Sequence, residues 1–74
     1  MTKLPRNVKP HKLIRAFERI GFSKVGQKGS HVRMKHPDGR WTQIPVHSKP
    51  IPVGTLRRIL QQTEVSQEEL KDLK

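Results

Sequence analysis

Cysteine is absent from this 74-residue sequence, so neither disulfides nor thiolate metal sites can supplement its core. The absence fits a reducing compartment, and the cytoplasm is the expected location. Acidic residues are scarce: six stand against sixteen Lys and Arg, for a net charge of +10. Only Glu18 and Asp38 precede residue 64, whereas fourteen of the basic residues do. A field this positive attracts a polyanion and accelerates its encounter, so nucleic acid or an acidic protein is the expected partner; the plainer alternative is a basic domain that is merely soluble. The remaining acids, Glu64, Glu68, Glu69 and Asp72, gather at the C-terminal end, which is expected to face away from the polyanion. No apolar run approaches the roughly 18 residues of a membrane span, and MTKLPRNVKP has no hydrophobic centre resembling a signal peptide. The chain therefore reads as soluble and unexported, with no membrane partner and no small-molecule cofactor.

A chain of this length makes one domain with a small core, burying only about 60% of the surface its unfolded form exposes. Residues 1–9 are basic and carry Pro5, and read as a frayed arm, or less readily as a basic arm lying on phosphates; residues 10–74 read as the single folded domain. Pro10 suits a first helical turn, where its missing N–H costs nothing. Leu13, Ile14, Phe17 and Ile20 then recur at helical spacing until Gly21 stops the run. A short strand is expected over Phe22 to Lys28, ended by a Gly29-Ser30 turn in which Gly29 takes an unusual backbone angle. His31 to His36 alternates as a second strand, HPDGR signals a hairpin, and Arg40 to Val46 returns as a third. Beyond the proline-rich HSKPIP, a helix is expected from about Pro52 to Gln62 with Leu56, Ile59 and Leu60 buried. Ser66 and Glu69 then form a capping box that opens a short acidic helix carrying Leu70 and Leu73. The expected class is α+β, in α-β-β-β-α order: a three-stranded antiparallel sheet, two helices on one face, and a short C-terminal helix.

The hairpin loop at 37–39 sets Met34 opposite Thr42 and Val32 opposite Ile44, which makes theirs the core face. By strand parity the other face holds His31, Arg33, Lys35, Trp41 and Gln43. From the residues alone, a histidine beside a Gly-Ser turn is more often a surface hydrogen-bonder than a catalyst. Its company of Arg33 and Lys35 on the uncovered face argues the other way.

The run GFSKVGQKGSHVRMKHPDGRWTQIPVH followed by PVGTLRRIL resembles the HicA toxins, the mRNA-cleaving members of HicA and HicB toxin-antitoxin systems, over residues 10 to about 70. Its most specific element is Gly29-Ser30-His31, about ten residues after a helix ending in Gly-Phe, with a Gly-Thr-Leu helix start downstream. The resemblance implies a fold like that of double-stranded-RNA-binding domains, a catalytic role for His31, mRNA as substrate, and a HicB-type antitoxin that covers the active surface. Two departures stand out. Thr63-Glu64-Val65 occupies a place where relatives often carry a glycine-containing helix stop, and the arm before Lys9 is longer than usual.

RNA cleavage needs no metal in principle, because the ribose 2′-hydroxyl is a nucleophile within the substrate. An imidazole, whose ordinary pKa is about 6.5, can take or give a proton at cellular pH, and cations can hold the charge of the phosphorane. Lys28, Arg33 and Lys35 are the candidate cations, and Ser30 belongs to the RNA-contacting set. Trp41 is expected to stack on a base, to anchor the antitoxin, or to shield the sheet edge. His47 is a candidate second acid-base group or RNA contact. Lys49, with the amides around Gly54 and Thr55, is a candidate phosphate site at a helix start. Arg57 and Arg58 read as a solvated helix face or, a little less readily, as a phosphate clamp, His36 as a partly buried structural residue, and His11 as solvated. The four histidines lack the close spacing of a zinc site, so no metal site is expected. The rival reading is a non-catalytic RNA-binding module using the same basic sheet face; a third is an interaction protein whose basic face serves an acidic partner alone.

Overall fold

The computed structural model describes residues 7–73; residues 1–6 of the expected arm lie outside them. The elements run α1 (Pro10–Arg19), β1 (Ser23–Lys28), β2 (His31–Lys35), β3 (Trp41–Pro45), α2 (Val53–Thr63) and α3 (Gln67–Leu73). The strands form one antiparallel sheet in the order β1-β2-β3. The α+β layout read from the sequence is the one observed, with strand ends shorter by a residue or so.

The ends of α1 and α2 each have a local cause. At the end of α1, Gly21 takes a φ of +104°, its N–H bonds to the carbonyl of Glu18 and that of Phe22 to the carbonyl of Phe17. This is the Schellman closure of a helix, which turns Phe22 inward against Phe17 instead of into the sheet, with the rings 5.2 Å apart. The end of α2 repeats the pattern: Glu64 donates to Gln61 and Val65 to Leu60. Here the left-handed position is held by Glu64, at a φ of +56°, where a side chain is strained and glycine is not.

The register is Val32 opposite Ile44 and Met34 opposite Thr42, as the hairpin loop implies. All four of these side chains are buried, together with Leu13, Ile14 and Phe17 of α1 and Leu56, Ile59 and Leu60 of α2. Thr42 and Thr63 are buried polar residues, and both are satisfied: Thr42 Oγ1 donates to Gln62 Oε1 at 2.8 Å and Thr63 Oγ1 to the Ile59 carbonyl at 2.8 Å. Ahead of α1, Val8 is buried and its carbonyl accepts the Ile51 N–H at 2.8 Å, so the packed part of the chain extends back beyond Pro10. The capping box of α3 forms in both directions, Glu69 N–H to Ser66 Oγ and Ser66 N–H to Glu69 Oε1. Leu70 is buried, while the side chain of Leu73 lies outside the described residues.

β1 differs from its neighbours. All six of its residues are exposed, and its register with β2 shifts between Lys24 and Gly26, a bulge that bends an edge strand. It widens the open face of the sheet without contributing to the core.

Candidate functional site

Lys28 pairs with His31 across a two-residue connection in which Gly29 has a φ of +59°. The Gln27 side-chain amide closes the turn on the Gly29 carbonyl at 3.1 Å. His31 is thus the first residue of β2 and is exposed, as are Arg33 and Lys35 two and four positions on. On β3 the exposed positions are Trp41 and Gln43. The Arg33 guanidinium lies 6.0 Å from the centre of the Trp41 ring, at the outer reach of a cation–π contact. Lys28, His31, Arg33 and Lys35 border a shallow concavity of about 870 Å³ on the uncovered sheet face.

His31 also borders a second concavity, a groove of about 420 Å³ between the sheet and α2. Trp41 and Gln43 line its sheet side, His47 its end, and Thr55, Arg58 and Gln62 its helical side. The local chain explains this assembly. Pro45 sits opposite His31 on an edge strand, where a missing N–H is tolerated. The next N–H, that of Val46, bonds to the Ser30 carbonyl, which ties the exit of β3 to the Gly-Ser turn and carries His47 to the His31 end. The half-buried Ser30 enters the site geometry through this carbonyl. Helix α2 is seated by Leu56, Ile59 and Leu60, and the bond from Thr42 to Gln62 sets its rotation. Thr55, Arg58 and Gln62, at i, i+3 and i+7, then form a strip beside the buried stripe.

Arg58 is exposed, as a solvated helix face requires, and it also borders the groove, where the alternative of a phosphate clamp would put it. The signal was present in the i, i+3, i+7 strip, whose direction only the seating of α2 determines. Trp41 is half exposed on the edge strand β3 and walls the groove. Lys49 is exposed in the loop before α2 and borders neither concavity. The helix it precedes begins with Pro52 in the cap position and has no side-chain cap. Among the described residues no carboxylate lines either concavity.

The other histidines are placed differently. His36 is half-buried at the far end of β2, edge-on to Phe22 with ring centres 5.0 Å apart. Its Nδ1 accepts the Asp38 N–H at 3.1 Å, so the proton resides on Nε2, which donates to the Ile20 carbonyl at 3.1 Å. The short approach of Nδ1 to Asp38 Oδ1, 3.0 Å, becomes an ion pair only in a doubly protonated ring. Both nitrogens are engaged, and the ring is structural. His11 is exposed on α1. Among the described residues no three His, Cys, Asp or Glu side chains converge as a metal site, and no helix is long and apolar enough to cross a membrane.

Arg40, which the sequence reading did not single out, fastens this end. Its Nε donates to Asp38 Oδ2 at 2.7 Å and its NH1 to the Thr63 carbonyl at 2.6 Å, placing a cation at the C-terminus of α2, where the helix dipole favours it. The Arg40 backbone N–H on the Asp38 carboxylate is the main reason that the Asp38 pKa is lowered, with the guanidinium adding to it.

A comparison with curated proteins returns no match. The sequence model of one family, described as the HicA toxin of bacterial toxin-antitoxin systems, matches residues 10–65, a span that includes α1, the whole sheet, α2 and the Gly29-Ser30-His31 turn. The chain belongs to the HicA toxin family.

Proposed function

We propose that the chain is a cytoplasmic endoribonuclease toxin that cleaves mRNA without a metal, with His31 as the catalytic acid-base group, and that a HicB-type antitoxin neutralises it. The observation that carries this reading is the position of His31: exposed, and shared by a basic sheet face and a groove that no carboxylate lines among the described residues. RNA lies across the open face with its phosphates on Lys28, Arg33 and Lys35. Ser30, His47 and Lys49 extend the contact, and an unpaired base stacks on Trp41. His31 takes the proton of a ribose 2′-hydroxyl as that oxygen attacks the adjacent phosphorus, a step in which acid-base catalysis contributes roughly 10²- to 10⁴-fold. The nearby cations hold the extra negative charge of the phosphorane. The same face, with Trp41 half exposed at its border, is the surface an acidic antitoxin segment covers.

The test is expression of the wild type and of His31→Ala in growing cells, paired with cleavage of single-stranded RNA by the purified proteins in a chelator. The expected result is growth arrest and cleavage by the wild type only, with RNA affinity retained in the variant. Equal growth arrest by a folded His31→Ala variant would overturn the catalytic assignment and leave an RNA-binding module on the same face.

A further inference from the structure

Resting on the ribonuclease reading, we infer that His47 is the second catalytic residue, the general acid that protonates the leaving oxygen, and that Arg58 is the cation that holds the phosphorane between the two histidines. His31 and His47 reach the same groove from different parts of the chain, brought there by the Val46 to Ser30 hydrogen bond one step beyond the His31 and Pro45 pair. Both rings border the same groove of about 420 Å³, a gap in which a phosphodiester can lie between two imidazoles. Arg58 borders this gap from α2, and among the described residues no carboxylate lines the groove to neutralise it. Neither His47 nor Arg58 makes a hydrogen bond or ion pair among the described residues, so both are free to meet a ligand.

The step balances within the substrate. The 2′-oxygen forms a bond to phosphorus as His31 removes its proton, the bond from phosphorus to the 5′-oxygen breaks, and His47 gives its proton to that oxygen. The products are a 2′,3′-cyclic phosphate and a 5′-hydroxyl, and solvent returns both histidines to their starting states.

A general acid is dispensable when the leaving group needs no proton, and this separates the roles. The substrates are a short single-stranded RNA and the same RNA with sulfur in place of the bridging 5′-oxygen at the cleaved position. For His47→Ala, cleavage of the ordinary RNA should fall at least roughly 100-fold, with the sulfur substrate cut at nearly the wild-type rate. His31→Ala should be slow on both. Arg58→Ala should slow both substrates alike, by roughly 100-fold, since the phosphorane charge is common to them. Equal losses on both substrates for His47→Ala, or no loss on either, would overturn the assignment of the acid, and an undiminished rate for Arg58→Ala would remove that residue. A wild type that binds but cuts neither RNA would instead overturn the ribonuclease reading beneath it. Because His47 and Arg58 are exposed, their substitution leaves the core intact, and near-wild-type cutting of the sulfur substrate by His47→Ala is itself proof of folding.

Discussion

The two ends of β2 each present a histidine, and the two rings are held in opposite ways. At the hairpin end, His36 is half-buried, gives its Nε2 proton to the Ile20 carbonyl, receives the Asp38 N–H and leans on Phe22. At the Gly-Ser end, His31 is exposed and makes no hydrogen bond among the described side chains. A ring with both nitrogens engaged stabilises the fold and cannot exchange protons with a substrate without breaking it. One with both nitrogens open contributes little to stability and is available for proton transfer. The open ring thus begins β2 and the anchored ring stands one residue past its end at Lys35.

The sharpest way to break this contrast is at Gly21. A Cβ there would lie 2.8 Å from His36 Nε2, and its φ of +104° is unfavourable for any side chain. The imidazole cannot swing aside, because both its nitrogens and its Phe22 face are engaged. Gly21→Ala should destabilise the protein by about 3 kcal/mol, combining backbone strain with the loss of the His36 bond, as read by chemical denaturation. His36→Ala should cost less, roughly 1–3 kcal/mol, by leaving the Ile20 carbonyl and the Asp38 N–H without partners. By contrast, His31→Ala should shift stability by no more than about 0.5 kcal/mol. A larger loss for His31→Ala than for His36→Ala would reverse the comparison.

The two helix stops extend the same test. Both are Schellman closures, but Gly21 occupies the left-handed position after α1 and Glu64 the one after α2. Glu64→Gly should therefore stabilise the protein, by roughly 0.5–1 kcal/mol once the greater freedom of glycine in the unfolded chain is counted. A destabilised Glu64→Gly variant would show that the glutamate has a favourable role that its backbone angle hides.

The smallest effect is expected at Asp38, whose half-exposed carboxylate is held below its ordinary pKa of 3.8. A group with a lowered pKa in the folded state contributes stability above its unfolded value and loses it as the pH falls through the folded one. Wild type should thus exceed Asp38→Asn in stability at neutral pH, and the difference should close below about pH 4. A difference that persists unchanged into acid would assign the effect to something other than the charge.

Much of this arrangement was legible along the chain, for identifiable reasons. Alternation with a period of two put Val32 and Met34 on one face and His31, Arg33 and Lys35 on the other, and the three-residue loop set the register with Thr42 and Ile44. These depend on neighbouring residues, so they survive folding unchanged. The role of Arg40 was not legible, because its partner, the Thr63 carbonyl, is 23 positions away. Nor was the direction of Arg58, since a helical strip beside the core stripe can face solvent or a neighbour equally well.

The sequence by itself therefore determined the strands, their facing, the basic character of the open side and the turn that exposes His31. Tertiary structure alone decided which residues from beyond the sheet border the groove beside His31. A hydrogen bond from Val46 to Ser30 and the seating of α2 on Thr42 bring His47 and Arg58 into one groove with it. Periodicity is a property of adjacent residues, whereas a groove between a sheet edge and a helix exists only once both have packed on the same core.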